Sequence, residues 1–370
     1  MRTHLFHRYA ARRPRSAALT HPRRTLPAES HLSAQALAMS STPAIPSASS
    51  RPLWQRLLLR RLKFLLGVIV VLGLALGGSY LFAPQWLLRA DIARQAMAAH
   101  LDTKTVQAGD THWSYYEGGE GPTLVLLHGY DSSKEVWLEV AKELTPHFHL
   151  IIPDLPGWGD SSRNDGADYD IDAQAARLDE FMQALGLRSV TVVGHSMGGA
   201  IAGVYAAEHP QVVNRLVLMD AFGLTSKEND FARASLAGTN PFDYDDRAGF
   251  ERATALAFEK VPDLPGRFID VLIQRNQRDR SFLDKTFNEL RQPSQYLSVQ
   301  QRLEKLTMPV MGLWCRDDKI IDISALDSLR NGLVNAAAIS TTTLSGCNHM
   351  PMLEKPEQTV QVLTAFELSH

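Results

Sequence analysis

The sequence predicts an α/β fold: a mostly parallel sheet with helices on both faces, a helical cap insertion, and an N-terminal transmembrane helix. Three observations support this prediction. Short apolar runs alternate with amphipathic helices from about residue 105 onward, one segment among them lacks any strand pattern, and a long uncharged run precedes them all. Apolar strands that alternate with helices indicate a parallel sheet buried on both faces.

The N-terminal arm, residues 1–61, is basic and has no apolar period. Residues 1–63 contain 12 of the 38 Lys and Arg residues and one acidic residue, Glu29, so the rest of the chain is acidic. Ser, Ala, Pro and Arg dominate the arm, a composition typical of disorder, and Met39 offers an alternative start within it. No basic run lies near the glycine-rich stretch 194–199, so no nucleic-acid partner is expected.

Residues 62–88 are predicted to form a single transmembrane signal-anchor helix, followed by a linker over 89–104. The run 64–83 carries no charge, and a helix of this length spans roughly 30 Å, the thickness of a bilayer core. Four basic residues precede the run: Arg56, Arg60, Arg61 and Lys63. The positive-inside rule then places the N-terminus in the cytoplasm and the remainder of the chain on the periplasmic side of a bacterial inner membrane. A cleaved signal peptide is the alternative.

The segments 105–223 and 306–370 are predicted to form the α/β core. An early run, 111–119, reads as a first strand. Six further apolar runs bounded by turn residues are predicted as strands at 123–128, 148–154, 189–195, 215–220, 309–315 and 338–345. Residues 224–305 interrupt this alternation with several short helical patterns, so they are predicted to form a helical cap over one edge of the sheet.

A G-x-S-x-G turn, Gly194-His195-Ser196-Met197-Gly198, joins the predicted strand 189–195 to the helical stretch that follows. A strand–turn–helix context is what a nucleophile elbow requires. Glycine removes side chains that would collide in so sharp a turn, and the helix N-terminus favours a developing anion. Ser196 is therefore the predicted nucleophile.

A serine nucleophile needs a base and an acid that orients the base. In a strand–elbow–helix enzyme of this kind the chain order is nucleophile, acid, base. His349 follows the last predicted strand and is the expected base. The acid should follow an earlier strand, and position alone leaves Asp317, Asp318 and Asp220 as candidates.

The oxyanion hole requires two backbone N–H donors and no metal or cofactor. Met197, directly after the nucleophile, supplies one donor, and Tyr130, in the loop after strand 123–128, supplies the other. His128, in the same loop, is expected to brace the loop rather than to take part in the chemistry.

Five separated motifs resemble the α/β-hydrolase superfamily: LLHGYDSSKEVWLEVAKEL, DLPGWGDS, VVGHSMGGAIAGVYAAEHPQVVNRLVLMDAFGL, LWCRDDKIIDIS and GCNHMPMLEKPEQT. More narrowly, they are similar to its membrane-anchored monoacylglycerol-lipase-like branch and to bacterial lipases. The resemblance covers about residues 105–368. It implies an α/β-hydrolase fold and a carboxylic ester hydrolase, and a family W-G-x-x-D pattern assigns the acid to Asp318. The chain has Cys315 where that pattern has glycine.

The expected function is a serine lipase or esterase acting through an acyl-enzyme on monoacylglycerol-like or medium-chain lipid esters. The anchor keeps the enzyme near lipid, and Phe222, Phe242, Phe258 and Phe268 are expected to line an acyl channel. No cluster of Lys or Arg accompanies the triad motifs, so a neutral lipid or small ester is the expected substrate. A C–C bond hydrolase or an acyltransferase on the same triad, and a binding protein without activity, are the alternatives. The oligomeric state is not predicted.

The two cysteines lie beside the predicted acid and base. Cys315 ends the strand before Asp318, and Cys347 precedes His349 by two residues. Two free thiols are the expectation. A disulfide joining the acid and base loops is the alternative in an oxidising compartment.

Overall fold

The centre of the protein is an eight-stranded sheet in the order β1-β2-β4-β3-β5-β6-β7-β8. The computed structural model describes residues 52–369. The pairs β1–β2 and β2–β4 are antiparallel, and all other neighbours are parallel. The strands are β1 (Asp102–Ala108), β2 (Thr111–Gly118), β3 (Thr123–Leu127), β4 (His149–Pro153), β5 (Val190–His195), β6 (Val213–Met219), β7 (Val310–Cys315) and β8 (Ile339–Leu344). The predicted fold class is confirmed.

Helices cover both faces of the sheet. In order they are α1 (Leu53–Phe82), α2 (Pro84–Ala98), α3 (Leu138–Leu144), α4 (Ile171–Ala184), α5 (Met197–Glu208), α6 (Asp230–Leu236), α7 (Arg247–Ala257), α8 (Gly266–Leu290), α9 (Pro293–Tyr296), α10 (Ala325–Gly332), α11 (Pro351–Glu354) and α12 (Pro356–Leu368). Two 3₁₀ helices span Lys134–Trp137 and Gln300–Lys305. Successive side chains of a strand point to opposite faces. Accordingly, Val125 and Leu127 of β3 pack in the core beneath α4, α5 and α10. Leu124 and Leu126 pack on the opposite face, in the core beneath α3 and α12.

The segment between β6 and β7 is helical. Helices α6 to α9 and the second 3₁₀ helix lie in it, and residues 224–305 form no strand in the structure. The helix α7 begins at the N-cap Asp246, whose carboxylate accepts a hydrogen bond from the Gly249 N–H at 2.6 Å. This cap satisfies one of the N–H groups that the first turn of a helix leaves unpaired.

The N-terminal helix differs from its predicted bounds of 62–88. The helix α1 begins at Leu53, inside the arm predicted as disordered, and ends at Phe82. Pro84 ends it because proline lacks an N–H and disfavours a helical backbone in the residue before it, and Ala83 has φ −148° and ψ 55°. By length and composition, α1 is able to cross a membrane. The disorder predicted for residues 1–51 lies outside the described residues.

Residues 89–104, predicted as a linker, mostly have regular structure. They hold the second half of α2 and the first residues of β1. The helix α2 buries Ala96 in the core beneath α3 and α12, and Ala99 and Leu101 after it are buried there as well. The strand β1 was missed because its sequence, DTKTVQA, is largely polar: it is an edge strand, paired with β2 alone, and most of its side chains face solvent.

Candidate active site

Ser196 occupies a strained turn between β5 and α5. Its φ of 54° and ψ of −119° lie in a region that residues other than glycine rarely adopt. A Cβ on Gly194 would lie 2.2 Å from the carbonyl oxygen of Gly198, and a Cβ on Gly198 would lie 2.4 Å from that of His128. Glycine is therefore required at both positions for the turn to close.

The rest of the sheet fixes the backbone of Ser196. Its N–H donates to the carbonyl of Met219 at the end of β6, and its carbonyl accepts a hydrogen bond from the Phe222 N–H, both at 3.0 Å. These two contacts hold the serine at the carboxyl edge of the sheet. Strain of this kind persists only where the surrounding structure enforces it, and it is concentrated at functional sites.

His349 and Asp318 form a buried hydrogen-bonded pair. The Nδ1 atom of His349 lies 2.9 Å from Oδ2 of Asp318. The other carboxylate oxygen of Asp318 accepts hydrogen bonds from the backbone N–H groups of Ile320 and Ile321, at 2.8 and 3.0 Å. Both oxygens are thus engaged, and the ring of His349 is held in one orientation. Asp317, the neighbouring candidate, is exposed to solvent.

His195 connects the loop that contains His349 to the turn at Ser196. Its Nε2 lies 2.7 Å from the carbonyl oxygen of His349, and the two ring centroids are 4.9 Å apart. Complete burial holds the pKa of His195 well below its usual value. His195 is therefore neutral, and its Nε2–H donates to the His349 carbonyl. This contact brings His349 beside the residue that precedes Ser196.

Asp220, the third candidate acid, lies next to this pair without a hydrogen bond to the imidazole. One of its oxygens accepts the Cys315 N–H at 2.8 Å, and the other has no partner among the described residues. Burial, and then the charge of Asp318, raises the pKa of Asp220 well above its usual value. A raised pKa is what burial and a neighbouring carboxyl group produce in a carboxylic acid.

The loop after β3 passes directly over the serine. A Cβ on Gly129 would lie 3.1 Å from Cβ of Ser196, so the backbone of this loop touches the turn. Within residues 52–369, no protein acceptor bonds the N–H of Tyr130 or that of Met197. The structure thus places two free N–H donors on residues that flank Ser196 in space.

An apolar pocket opens over Ser196 beneath the cap. Tyr130, Met197, Phe222 and Phe242 line it. Of the predicted channel residues, Phe258 and Phe268 lie outside this lining: Phe268 instead packs edge-on against Tyr80, with ring centroids 6.0 Å apart. Sequence patterns had not indicated several other lining residues, which are Leu224, Ser226, Ser235, Phe287, Leu290, Arg291, Tyr296, Ile320 and Ile321.

Comparisons with known proteins identify the family of this chain. The model of the α/β-hydrolase fold family matches residues 122–356, well over half of the chain. The chain belongs to the α/β-hydrolase family. The predicted resemblance is confirmed, and lipases dominate the most similar relatives of this hydrolase.

Human monoacylglycerol lipase ABHD6 is 29% identical to the hydrolase over 318 residues, which cover 81% of this chain and 92% of the relative. Lipase 3 of Moraxella sp. (strain TA144) is 32% identical over 252 residues, which cover 66% of this chain and 77% of the relative. The crystal structure of a bacterial membrane phospholipase A superposes with a TM-score of 0.73 at 33% identity, covering 82% of this chain and 97% of that one. The hydrolase is an ester hydrolase of the lipase and esterase type.

A buried polar network braces the loop after β3, which contains Gly129 and Tyr130. The Nε2 atom of His128 accepts a hydrogen bond from the Leu155 N–H at 3.0 Å, and its Nδ1 atom lies 2.8 Å from the Gly129 carbonyl oxygen. The ammonium of Lys134 is buried and pairs with Asp154, and it contacts Asp160 at 3.0 Å. His128 therefore supports the loop, and the buried lysine was not predicted from the sequence.

The cap holds the same loop from above. The hydroxyl of Tyr130 donates to the Leu283 carbonyl of α8 at 2.8 Å. Next to it, Asp131 has a left-handed backbone with φ of 46° and pairs with Arg275 of α8 at 3.0 Å. Because α8 lies more than a hundred residues away along the chain, no sequence pattern indicated these contacts.

Cys315 and Cys347 form a disulfide, contrary to the expectation of two free thiols. Their Cα atoms are 5.4 Å apart, within the range that a disulfide bridges. Parallel pairing of β7 with β8 sets Cys315 opposite Leu344, three residues before Cys347. This register, which sequence alone does not give, brings the two sulfurs together.

Two groups of side chains have the residue types of a metal site, and internal partners already occupy both. Asp220, Asp318 and His349 place one ligand atom each within 4.8 Å of one another, but the hydrogen bonds of Asp318 use both of its oxygens. In the second group, Asp154 and Asp160 surround the ammonium of Lys134. We therefore treat both groups as hydrogen-bonded networks.

Proposed function

We propose that this hydrolase is a membrane-anchored serine lipase or esterase that cleaves single-chain lipid esters. Ser196 is the nucleophile, His349 the general base and Asp318 the orienting acid. The observation that carries the proposal is the 2.9 Å contact of His349 with Asp318, tied through His195 to the strained Ser196 turn. That turn faces an apolar pocket.

Acylation begins when the Ser196 hydroxyl attacks the ester carbonyl and its proton passes to Nε2 of His349. The Nδ1–H of His349 already donates to Asp318, so the carboxylate stabilises the imidazolium as it forms. The tetrahedral oxyanion accepts hydrogen bonds from the free backbone N–H groups of Tyr130 and Met197. Collapse of this intermediate breaks the ester C–O bond, and His349 returns the proton to the departing alkoxide.

Deacylation repeats these steps with water as the nucleophile. His349 takes a proton from the water, and the same N–H groups hold the second oxyanion until Ser196 is released. His195 does not compete for the proton, because burial holds its pKa well below that of an exposed histidine. The positive charge therefore develops only on the imidazole that faces Asp318.

The pocket supports an acyl chain of medium length. Its lining is largely aromatic and aliphatic, with Phe222, whose N–H donates to the Ser196 carbonyl, Phe242, and Phe287 and Leu290 from α8. Each methylene that leaves water adds up to about 0.8 kcal/mol, roughly a fourfold gain in kcat/KM, until the pocket is full.

An acyl-chain series of p-nitrophenyl esters with the full-length protein in detergent tests this proposal. We expect kcat/KM to rise from acetyl to medium chains and then to level off. Phe242→Ala should flatten the rise, whereas Phe268→Ala, outside the pocket lining, should leave it as in wild type. A steady decline from acetyl onward would replace the lipase proposal with a short-chain esterase.

We further propose that α1 anchors the hydrolase with its catalytic domain on the periplasmic side of a bacterial inner membrane. The basic residues before Phe64 and the positive-inside rule support this orientation. The disulfide supports it independently, because disulfides persist in oxidising compartments. Protease added to spheroplasts should digest the catalytic domain, and digestion only in inverted vesicles would reverse the orientation.

A further inference from the structure

Four residues of the cap, Asn240-Pro241-Phe242-Asp243, form a tight turn before α7. The Asp243 N–H donates to the Asn240 carbonyl at 3.2 Å and closes the turn. Asparagine at the first position and proline at the second are typical of such turns. Phe242 lines the active-site pocket. The proposed acyl transfer gives no role to the two polar side chains at the ends of the turn, Asn240 and Asp243.

The Asn240 side chain is held in one orientation by three hydrogen bonds. Its Oδ1 accepts from the Phe242 N–H at 3.1 Å. Its Nδ2 donates to Oδ1 of Asp243 at 3.0 Å and to the hydroxyl of Tyr130 at 3.2 Å. Because a backbone N–H can only donate and an amide nitrogen can only donate, these partners fix which end of the amide faces Tyr130.

The Tyr130 hydroxyl continues this chain of hydrogen bonds into α8. It donates to the Leu283 carbonyl at 2.8 Å, so it accepts from Asn240. The ring of Tyr130 packs against Phe242 and Trp158, with centroids 5.8 and 5.2 Å apart. The side chain is therefore fixed both at its tip and along its faces.

The backbone of Tyr130 lies in the loop that passes over the serine. A Cβ on the preceding Gly129 would lie 3.1 Å from Cβ of Ser196. Within residues 52–369 the Tyr130 N–H has no protein acceptor, and it is the proposed oxyanion donor. Because the tyrosine ring is rigid, fixing its hydroxyl restricts rotation of the backbone that carries this N–H. A single oxyanion donor is worth about a hundredfold or more in kcat, so its direction matters.

We propose that Asn240 is a positioning residue, which acts from the cap through the Tyr130 hydroxyl to orient the Tyr130 N–H toward the oxyanion. This role rests on the proposed ester hydrolysis. Full negative charge on the oxygen develops only after the serine attacks, so the contact should stabilise the transition state more than the bound ester. Loss of Asn240 should therefore reduce kcat rather than raise KM.

Steady-state hydrolysis of p-nitrophenyl decanoate by the full-length protein in detergent tests this role. The variants are Asn240→Ala, Tyr130→Phe and their combination. Tyr130→Phe keeps the backbone N–H and removes only the hydroxyl, so it tests the same contact even where Asn240→Ala fails to fold. Gln277→Ala is the control, because it removes another cap amide, which donates to the Asp245 carbonyl at 2.9 Å rather than to Tyr130.

We expect Asn240→Ala to lower kcat by about tenfold with KM little changed, a fraction of the value of one oxyanion donor. Gln277→Ala should keep the wild-type kcat and KM. The double variant should be no slower than Tyr130→Phe alone, because both substitutions break one chain of contacts. Additive losses in the double variant, or a rise in KM alone, would overturn the positioning role.

A decyl trifluoromethyl ketone separates this proposal from the hydrolysis that it rests on. Oγ of Ser196 adds to its carbonyl carbon, the serine proton passes to His349, and the carbonyl oxygen becomes an oxyanion. Fluorine NMR detects the adduct, and the corresponding trifluoromethyl alcohol binds without forming one.

Asn240→Ala should raise the Ki of the ketone by about tenfold and leave the Kd of the alcohol unchanged. If both constants rise equally, Asn240 only shapes the pocket and the positioning role is wrong. If wild type forms the adduct and Asn240→Ala binds the ketone as tightly, the positioning role fails and the proposed function remains. If wild type forms no adduct at Ser196, the proposed function fails and the positioning role fails with it.

Discussion

Removal of the disulfide should weaken both the fold and the active site. The substitution is Cys315→Ala with Cys347→Ala, which deletes the bridge and leaves no thiol, since the chain has 2 cysteines. The bridge closes a loop with a sequence separation of 32 residues. For a loop of that length the chain-entropy model gives about 4 kcal/mol of stabilisation. Spread over the unfolding entropy of roughly 300 residues, this corresponds to a Tm lower by about 6 °C.

The same substitution should reduce turnover more than binding. Cys315 precedes Asp318 by three residues and Cys347 precedes His349 by two, so the bridge fixes the separation of acid and base. The loops stay joined by further contacts, among them the hydrogen bonds from the Lys319 N–H to Oδ1 of Asn348 at 2.8 Å and from Nε of Arg316 to Oγ of Ser345 at 3.2 Å. We therefore expect kcat to fall by about tenfold, below the hundredfold that a 1 Å misplacement costs, with KM little changed.

Thermal unfolding by circular dichroism and steady-state hydrolysis of a medium-chain ester measure the two effects. Single Cys315→Ser and Cys347→Ser variants should resemble the double variant, because either one breaks the bridge. A reductant should have little effect on the native wild type, since both cysteines are fully buried. An unchanged Tm and kcat in the double variant, or two titratable thiols in unreduced wild type, would refute the reasoning.

Three further predictions concern the groups around the serine. Asp318→Asn should lower kcat by about 10⁴-fold, as loss of a triad acid does, whereas Asp317→Asn and Asp220→Asn should be mild; equal effects at all three positions would remove the distinction between them. Burial lowers the pKa of His128 from 6.5 to about 4, so the unfolded chain binds more protons between these values and stability falls as pH drops from 6.5. The loss should reach about 3 kcal/mol, and His128→Gln should flatten the dependence of Tm on pH in that range. Arg275→Met, which frees Asp131 from α8, should lower kcat by about tenfold at constant KM, a fraction of the cost of one oxyanion donor; a change in KM alone would mean that Arg275 contacts substrate.

The local sequence pattern was sufficient to predict the strands of the sheet and the serine turn. The apolar runs of β3 to β7 are bounded by turn residues, and three glycines lie close to Ser196 in the sequence, at positions 194, 198 and 199. Pattern and spacing reveal such features. The contacts that require Gly198 and Gly199, with His128 and Ala221, come from other segments of the chain. The polar edge strand β1 and the helix α2 lacked this signal, because one faces solvent and the other buries little.

Contacts between segments that are distant in the sequence could not be predicted from it. Whether the cysteines pair depends on the register of β7 with β8. Arg291 is brought to the pocket lining by the fold of the cap, so the lack of a Lys or Arg cluster beside the triad motifs in the sequence did not reveal it. Position in the sequence also did not distinguish the three candidate acids, which are Asp317, Asp318 and Asp220. Only the resemblance to a family favoured Asp318. The structure shows why these three acids differ: one is exposed, one bonds His349, and one is buried beside the pair.

The most direct test of the proposed mechanism is covalent labelling of the serine. Wild-type protein incubated with a fluorophosphonate and digested should carry the adduct on the peptide that contains Ser196, with ester hydrolysis lost in proportion to labelling. Ser196→Ala should remain unlabelled, keep the wild-type Tm, and lose kcat by a factor on the order of 10⁶. Labelling at another residue, or wild-type turnover by Ser196→Ala, would contradict the mechanism.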